Sequence, residues 1–172
     1  GLALAYKKNN NFNEGLASLD KLLEKYPKNL VLNTTKVEFL SYFNKFNDAL
    51  DLANKFLEIS PKNYPLSISK SQILLNMGQY FESEEIIRDQ LLRKNDSPEL
   101  WFMLSETQKT SQNIVGYHQS RAEYFLLLGQ DEKALNQLEF ALQLTQNNFQ
   151  VSDRIMTKII EIKKSLQNSR GL

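Results

Sequence analysis

Cysteine is absent from the 172 residues, which removes disulfides, thiolate zinc sites and cysteine nucleophiles together. Histidine is nearly absent too: His118 stands alone, so the paired H-E-x-x-H ligands of a zinc hydrolase cannot be assembled within this chain. No G-x-G-x-x-G, Walker loop or nucleophile elbow occurs. An excess of either charge is also missing. The 21 basic and 20 acidic residues leave +1, which gives no electrostatic case for nucleic acid or an anionic membrane surface. No apolar run approaches the ~20 residues of a membrane span. The opening Gly1-Leu2-Ala3-Leu4-Ala5-Tyr6-Lys7-Lys8 turns polar too soon for a signal peptide. It reads as a helix cut in mid-course, so the chain is expected to be a piece of a longer protein.

What is present is self-similarity. Phe12, Phe46 and Tyr80 fall thirty-four residues apart, as do Gly15, Ala49 and Ser83, and Leu23, Leu57 and Leu91. Tyr26-Pro27-Lys28-Asn29 is answered by Ser60-Pro61-Lys62-Asn63, and the next slot holds Lys94-Asn95-Asp96 with proline displaced to Pro98. This is the repeat length of tetratricopeptide (TPR) proteins, a helix-turn-helix unit that buries its apolar face only by stacking on neighbours. The expected fold is therefore all-α, a TPR-type solenoid, and the function expected of it is binding. With 41% hydrophobic residues, one continuous domain with a real core is the simplest organisation.

Placing Pro27 and Pro61 between repeats predicts a partial repeat over 1–29, complete units over 30–63 and 64–97, irregular repeats over 98–148 and a capping helix over 149–168. In the first complete unit, Leu32, Val37 and Leu40 lie on the first helix. Ala49, Leu50, Ala53, Phe56 and Leu57 lie on the second. The next unit repeats this with Leu74, a turn at Gly78, then Ile86, Ile87 and Leu91. Gly15, Ala49, Ser83 and Ala134 occupy the early second-helix slot, where small side chains let two helices approach.

The register breaks after Pro98. Trp101, Leu104 and Ser105 keep first-helix spacing, but no ordinary second helix is expected to follow; the polar Thr110-Ser111-Gln112-Asn113 stretch leads instead to another first-helix pattern, Tyr117, Ala122, Phe125 and Gly129. A helix over 114–128 is expected to serve both neighbours, completed by Ala134, Leu138, Ala141 and Leu142. Val151, Ile155, Ile159, Ile162 and Leu166 then form one apolar helical stripe, with Asp153, Lys158, Glu161 and Lys164 opposite, as a terminal capping helix requires.

Most of the ten phenylalanines and seven tyrosines fall at packing positions, so Phe12, Phe46, Tyr80 and Phe125 are expected in the core. His118, near a helix start, is expected to pack or hydrogen-bond. The register assigns a concave, segment-binding groove to Thr34, Glu38, Ser41 and Tyr42; to Ile68, Gln72, Leu75 and Asn76; and to Phe102, Glu106 and Lys109. A mixed apolar and amide lining suits an extended peptide. A carboxylate clamp of the chaperone-tail type is disfavoured. The places where charge-assisted donors would stand carry Thr34 and Glu38, Ile68 and Gln72, and Phe102 and Glu106.

The run Gly116-Tyr117-His118-Gln119-Ser120-Arg121-Ala122-Glu123-Tyr124-Phe125, continuing through Leu128-Gly129 and Ala134-Leu135-Asn136-Gln137-Leu138 to Arg154-Ile155, resembles the C-terminal end of periplasmic zinc metallopeptidases of the BepA (YfgC) type. That family reads approximately H-Q-A-R-A-E-Y there, so Ser120 is a departure. The close similarity covers residues 98–165. The resemblance implies a two-domain parent whose N-terminal peptidase holds zinc and whose TPR domain docks on the outer-membrane β-barrel assembly machinery and on unfolded outer-membrane proteins, in the periplasm. It carries no catalytic residue, cofactor or metal into this chain. Two alternatives stand beside it: a regulatory domain that packs on and restrains its own peptidase domain, and a free-standing scaffold.

Overall fold

The computed structural model describes residues 11–145 and 147–170, and among these it contains nine α-helices and no strand. In chain order they are α1 (Phe12–Lys25), α2 (Leu30–Tyr42), α3 (Phe46–Ile59), α4 (Tyr64–Asn76), α5 (Tyr80–Arg93), α6 (Pro98–Thr110), α7 (Ile114–Leu127), α8 (Asp131–Leu144) and α9 (Phe149–Arg170). The truncated helix expected at the start lies outside the described residues. The chain divides into two compact units, one ending at Ile86 and one beginning at Ile87, with the boundary inside α5.

The thirty-four-residue interval is first a rhythm of helix ends. Asn29 and Asn63 cap α2 and α4, each accepting from a backbone N–H three residues on at 3.0 Å. Ser97 takes over at α6, its Oγ accepting from Leu100 N at 3.4 Å. Such caps satisfy N–H groups that a helix's first turn cannot bond internally. Burial follows the same interval on the first helices: Val37, Ser71 and Ser105 are buried, as are Phe39, Ile73 and Thr107.

In the N-terminal unit, Val37, Leu40, Ala49, Ala53, Phe56, Leu66 and Ile73 form the core, with Phe12 and Phe46 packed against it. Phe12, Phe39 and Phe43 stack with ring centroids 4.9–5.9 Å apart. Ala49 and Ser83 are fully buried, as a close helix crossing demands. The Ser83 hydroxyl stays satisfied there by donating to Ser71 O at 2.9 Å. In the C-terminal unit, Ala122, Ala134, Leu138 and Ala141 pack against Ile155, Ile159 and Ile162 of α9, with Phe125, Val151 and Leu166 at the margin. The expected apolar stripe is therefore the face by which α9 covers α8. Its opposite face is not wholly solvated, because Lys158 reaches Glu123 of α7 at 2.9 Å.

One expectation needs correction. An ordinary second helix does follow α6: α7 has fourteen residues, the length of α3 and α5, and starts one interval after Tyr80. The apolar signal was absent because the crossing is polar. Gln108, where Leu40 and Leu74 stand in earlier repeats, is fully buried and accepts from Ser120 Oγ at 2.7 Å. Gly116, not residue 117, supplies the close approach.

That α7 also serves its other neighbour is written in the turns. Asn44, Gly78 and Gln112 adopt left-handed φ of 57°, 79° and 61°, each closing the same six-residue loop at 2.8–2.9 Å through Lys45 N to Leu40 O, Gln79 N to Leu74 O and Asn113 N to Gln108 O. Gly129 (φ 68°) repeats this motif with Gln130 N to Phe125 O at 2.9 Å, half an interval early. So α7 ends as a first helix ends, and α8 follows it as a second. Left-handed backbone costs a non-glycine residue about 1–2 kcal/mol. Gln112→Gly is therefore expected to raise stability by about 1 kcal/mol, visible as a higher denaturant midpoint at unchanged m-value.

Candidate functional site

Each expected groove residue can be placed within its own unit. On α2, Thr34 and Glu38 line a cavity of about 250 Å3 with Leu30, Val31, Thr35 and, from the start of α4, Asn63 and Pro65. Tyr42, the last residue of α2, is exposed and meets Phe43 edge-on at 5.1 Å. On the neighbouring α4, Ile68 is half-buried, while Gln72 and Asn76 are exposed and joined by an amide hydrogen bond of 3.3 Å. With Ser41 and Leu75, both half-buried, the N-terminal unit thus carries its eight expected residues on two adjacent first helices.

In the C-terminal unit, Phe102 and Lys109 are exposed and Glu106 is half-buried. The Lys109 ammonium lies 5.9 Å above the Tyr117 ring. Phe102 belongs to a second cleft that the register alone did not reveal. It has a volume of about 380 Å3 and is lined by Pro98, Glu99, Phe102 and Met103 of α6, with Tyr124 of α7 and Leu128 just beyond it. The lining is apolar except at Glu99. Ser97 Oγ donates to the Glu99 carboxylate at 2.8 Å. That bond, the residue's own backbone N–H and nearby Lys94 hold its carboxyl below the usual carboxylate range.

Arg121 stands beside this lining, over two of its rings and that of Phe125. Its guanidinium centre lies 5.3 Å from the Phe102 ring, 5.1 Å from Tyr124 and 4.9 Å from Phe125. Three aromatic faces fix one cation by quadrupole attraction. Among the described residues, no carboxylate or carbonyl accepts from that guanidinium. The sequence signal for this arrangement was the spacing of Arg121, Tyr124 and Phe125 within one helical turn, opposite an exposed Phe102.

His118 fulfils its expected packing role. Its Nδ1 lies 2.9 Å from Gln137 Oε1, and its ring lies 5.5 Å from Phe140. With Ser120 bonded to Gln108 and Glu123 paired with Lys158, the His118–Glu123 run largely holds α7 to α6, α8 and α9. Among the described residues no three His, Cys, Asp or Glu side chains converge where they could hold a metal, and no helix is long and apolar enough to cross a membrane.

No protein-family model matches the chain, and no curated protein matches it either. Solved structures do. A MamA fragment, residues 41 to the end, from Desulfovibrio magneticus RS-1 is 13% identical with a TM-score of 0.64, covering 95% of this chain and 92% of that one. A tetratricopeptide repeat protein from Parabacteroides merdae is 15% identical with a TM-score of 0.56, covering 92% and 68%. YrrB, described as a TPR protein with an unusual peptide-binding site, is 15% identical with a TM-score of 0.52, covering 90% and 98%. The fold is the tetratricopeptide-repeat fold.

Proposed function

We propose that the chain is a protein-interaction module whose first helices receive extended segments of partner proteins. The observation that carries this reading is the periodic contrast on α2, α4 and α6. Val37, Ser71 and Ser105 are buried at one register, while the neighbouring Glu38, Gln72 and Glu106, and with them Thr34, Ile68 and Phe102, keep access to solvent. A solenoid helix with both faces committed to packing has nothing to offer a partner. These helices keep one face apolar, amide-bearing and only lightly charged. The peptide-binding site of YrrB, on the same fold, agrees with this reading.

The finer reading is that the module belongs to a BepA-like zinc metallopeptidase of the periplasm and presents β-barrel assembly partners or unfolded outer-membrane proteins to it. Its support is the His118–Glu123 run with Leu128-Gly129 and Ala134 to Leu138. The test places a photo-crosslinking residue at Gln72 or Phe102 and, as controls, at exposed Lys55 of α3 or Asp89 of α5. Adducts with β-barrel precursors or assembly proteins at the first-helix positions alone are expected. Equal labelling from the control positions would remove the first-helix assignment, and adducts lacking every envelope protein would remove the periplasmic one.

A further inference from the structure

The cleft between α6 and α7 is electrically polarised. Glu99 stands at one end, held by Ser97, and Leu128 lies at that same end because α6 and α7 run antiparallel through the turn at 111–113. Arg121 lies about 10 Å along α7 from Leu128, at 1.5 Å per residue, and so marks the other end. Between them the walls are Phe102, Met103 and Tyr124. An apolar side chain fits the middle, where desolvation favours it and no polar partner is offered.

The charge on Arg121 is poised for something outside the chain. Its planar fork is fixed over three rings and keeps its N–H donors without a protein acceptor among the described residues. A guanidinium so held loses little rotamer freedom on meeting a carboxylate, and it can bind one through two parallel hydrogen bonds. In an extended peptide, alternate side chains share a face about 7 Å apart. The guanidinium lies 5.3 Å and 5.1 Å from the centroids of Phe102 and Tyr124, two rings that line the cleft, so a side chain two positions from an anchor seated against those rings is on the face that meets it. An immediately adjacent acidic residue would point to the opposite face.

Building on the interaction-module reading, we infer that the α6–α7 cleft binds an extended segment that carries a bulky apolar residue with an Asp or Glu two positions away, the apolar side chain filling the cleft and the carboxylate pairing with Arg121. Glu99 sets the polarity. It repels a second acidic residue on the far side of the anchor and favours a basic one, so the segment lies in one direction only. Lys109, beyond Arg121 toward the 111–113 turn, adds to the positive end.

The probes are two blocked heptapeptides, acetyl-Ala-Glu-Ala-Leu-Ala-Lys-Ala-amide and the same peptide with Glu and Lys exchanged, each also made with Gln in place of Glu. Binding is read from amide shifts of the isotopically labelled chain. One of the two orders is expected to bind, with shifts centred on residues 98–103 and 121–128. Replacing its Glu by Gln should weaken binding at least about tenfold, the worth of one charge-assisted contact, and higher salt should weaken the Glu peptide more than the Gln one. Arg121→Gln should erase that difference, and Arg121→Lys should restore part of it. Because the Glu-to-Gln change is made in the peptide, a poorly folded variant cannot decide the result. Equal affinity of Glu and Gln peptides, or failure of both orders to bind, overturns the inference. Shifts that instead gather on α2 and α4 overturn it while leaving the interaction-module reading standing.

Discussion

Gly116→Ala is expected to destabilise the C-terminal unit by about 1–3 kcal/mol net, although alanine is the better helix former by about 1 kcal/mol. The sign reverses because there is no room. A Cβ at Gly116 would sit 2.6 Å from Asn113 Nδ2, 2.9 Å from Asn113 Cγ and 2.8 Å from Gln108 Nε2. Asn113 caps α7 by accepting from Gly116 N at 3.1 Å, and losing such a cap costs about 1 kcal/mol. Moving Gln108, whose side chain is fully buried and bonded to Ser120, leaves a buried amide or hydroxyl unsatisfied, at about 1–3 kcal/mol. Denaturant unfolding followed by near-ultraviolet signals of Trp101 in α6 measures this. Unchanged or raised stability would show that α6 and α7 do not meet at this crossing.

Removal of residues 149–172 is expected to do more damage still. The truncation strips Ile155, Ile159 and Ile162 from Ala134, Leu138 and Ala141. Each buried aliphatic is worth about 1.5–3 kcal/mol, so the loss approaches the about 5–15 kcal/mol that holds a whole domain folded. What remains would expose an apolar row on α8, and repeat arrays without a polar terminal cap aggregate. The expected result is a C-terminal unit that no longer melts cooperatively and a truncated chain that elutes as aggregate. An unaltered melting temperature would mean that α9 covers nothing. Ile155→Ala gives the same test in graded form, with an expected cost of about 2–5 kcal/mol.

How much of this could be read from residues alone varies along the chain. The turns at Pro27, Pro61 and Gly78 and the stripe on α9 were legible because each rests on a local rule, a residue suited to a turn or an apolar face of fixed period. The α6–α7 pair was misread because periodicity counts apolar residues. There a buried glutamine stands where Leu40 and Leu74 do, with a buried serine where Leu52 and Ile86 do, a satisfied polar crossing that hides the second-helix pattern while the helix over 114–128 still shows. The left-handed Asn44 and Gln112 were equally silent, since only Gly78 and Gly129 advertise that backbone.

The helix positions of the expected groove were legible; its local geometry was not. Register placed Thr34, Glu38, Gln72 and Asn76 correctly on adjacent first helices, because one helical face is set by the same period that sets the core. It could not supply the cleft or Arg121, since those depend on which residues of two different helices come within 5 Å. Nor do the His118–Glu123 residues advertise their task. His118, Ser120 and Glu123 each bond to another helix, so that run reports how α7 is held in place as much as what the protein binds.

The central claim is that first-helix faces, and not the backs of the repeats, receive partner polypeptide. Titrating the labelled chain with an unfolded outer-membrane β-barrel polypeptide and mapping amide shifts tests it most directly. The account predicts that perturbations fall on α2, α4, α6 and the α6–α7 cleft, at Thr34, Gln72, Phe102 and Arg121 above all. Perturbations confined to α3, α5 or the outer side of α9, or none at saturating polypeptide, would contradict it.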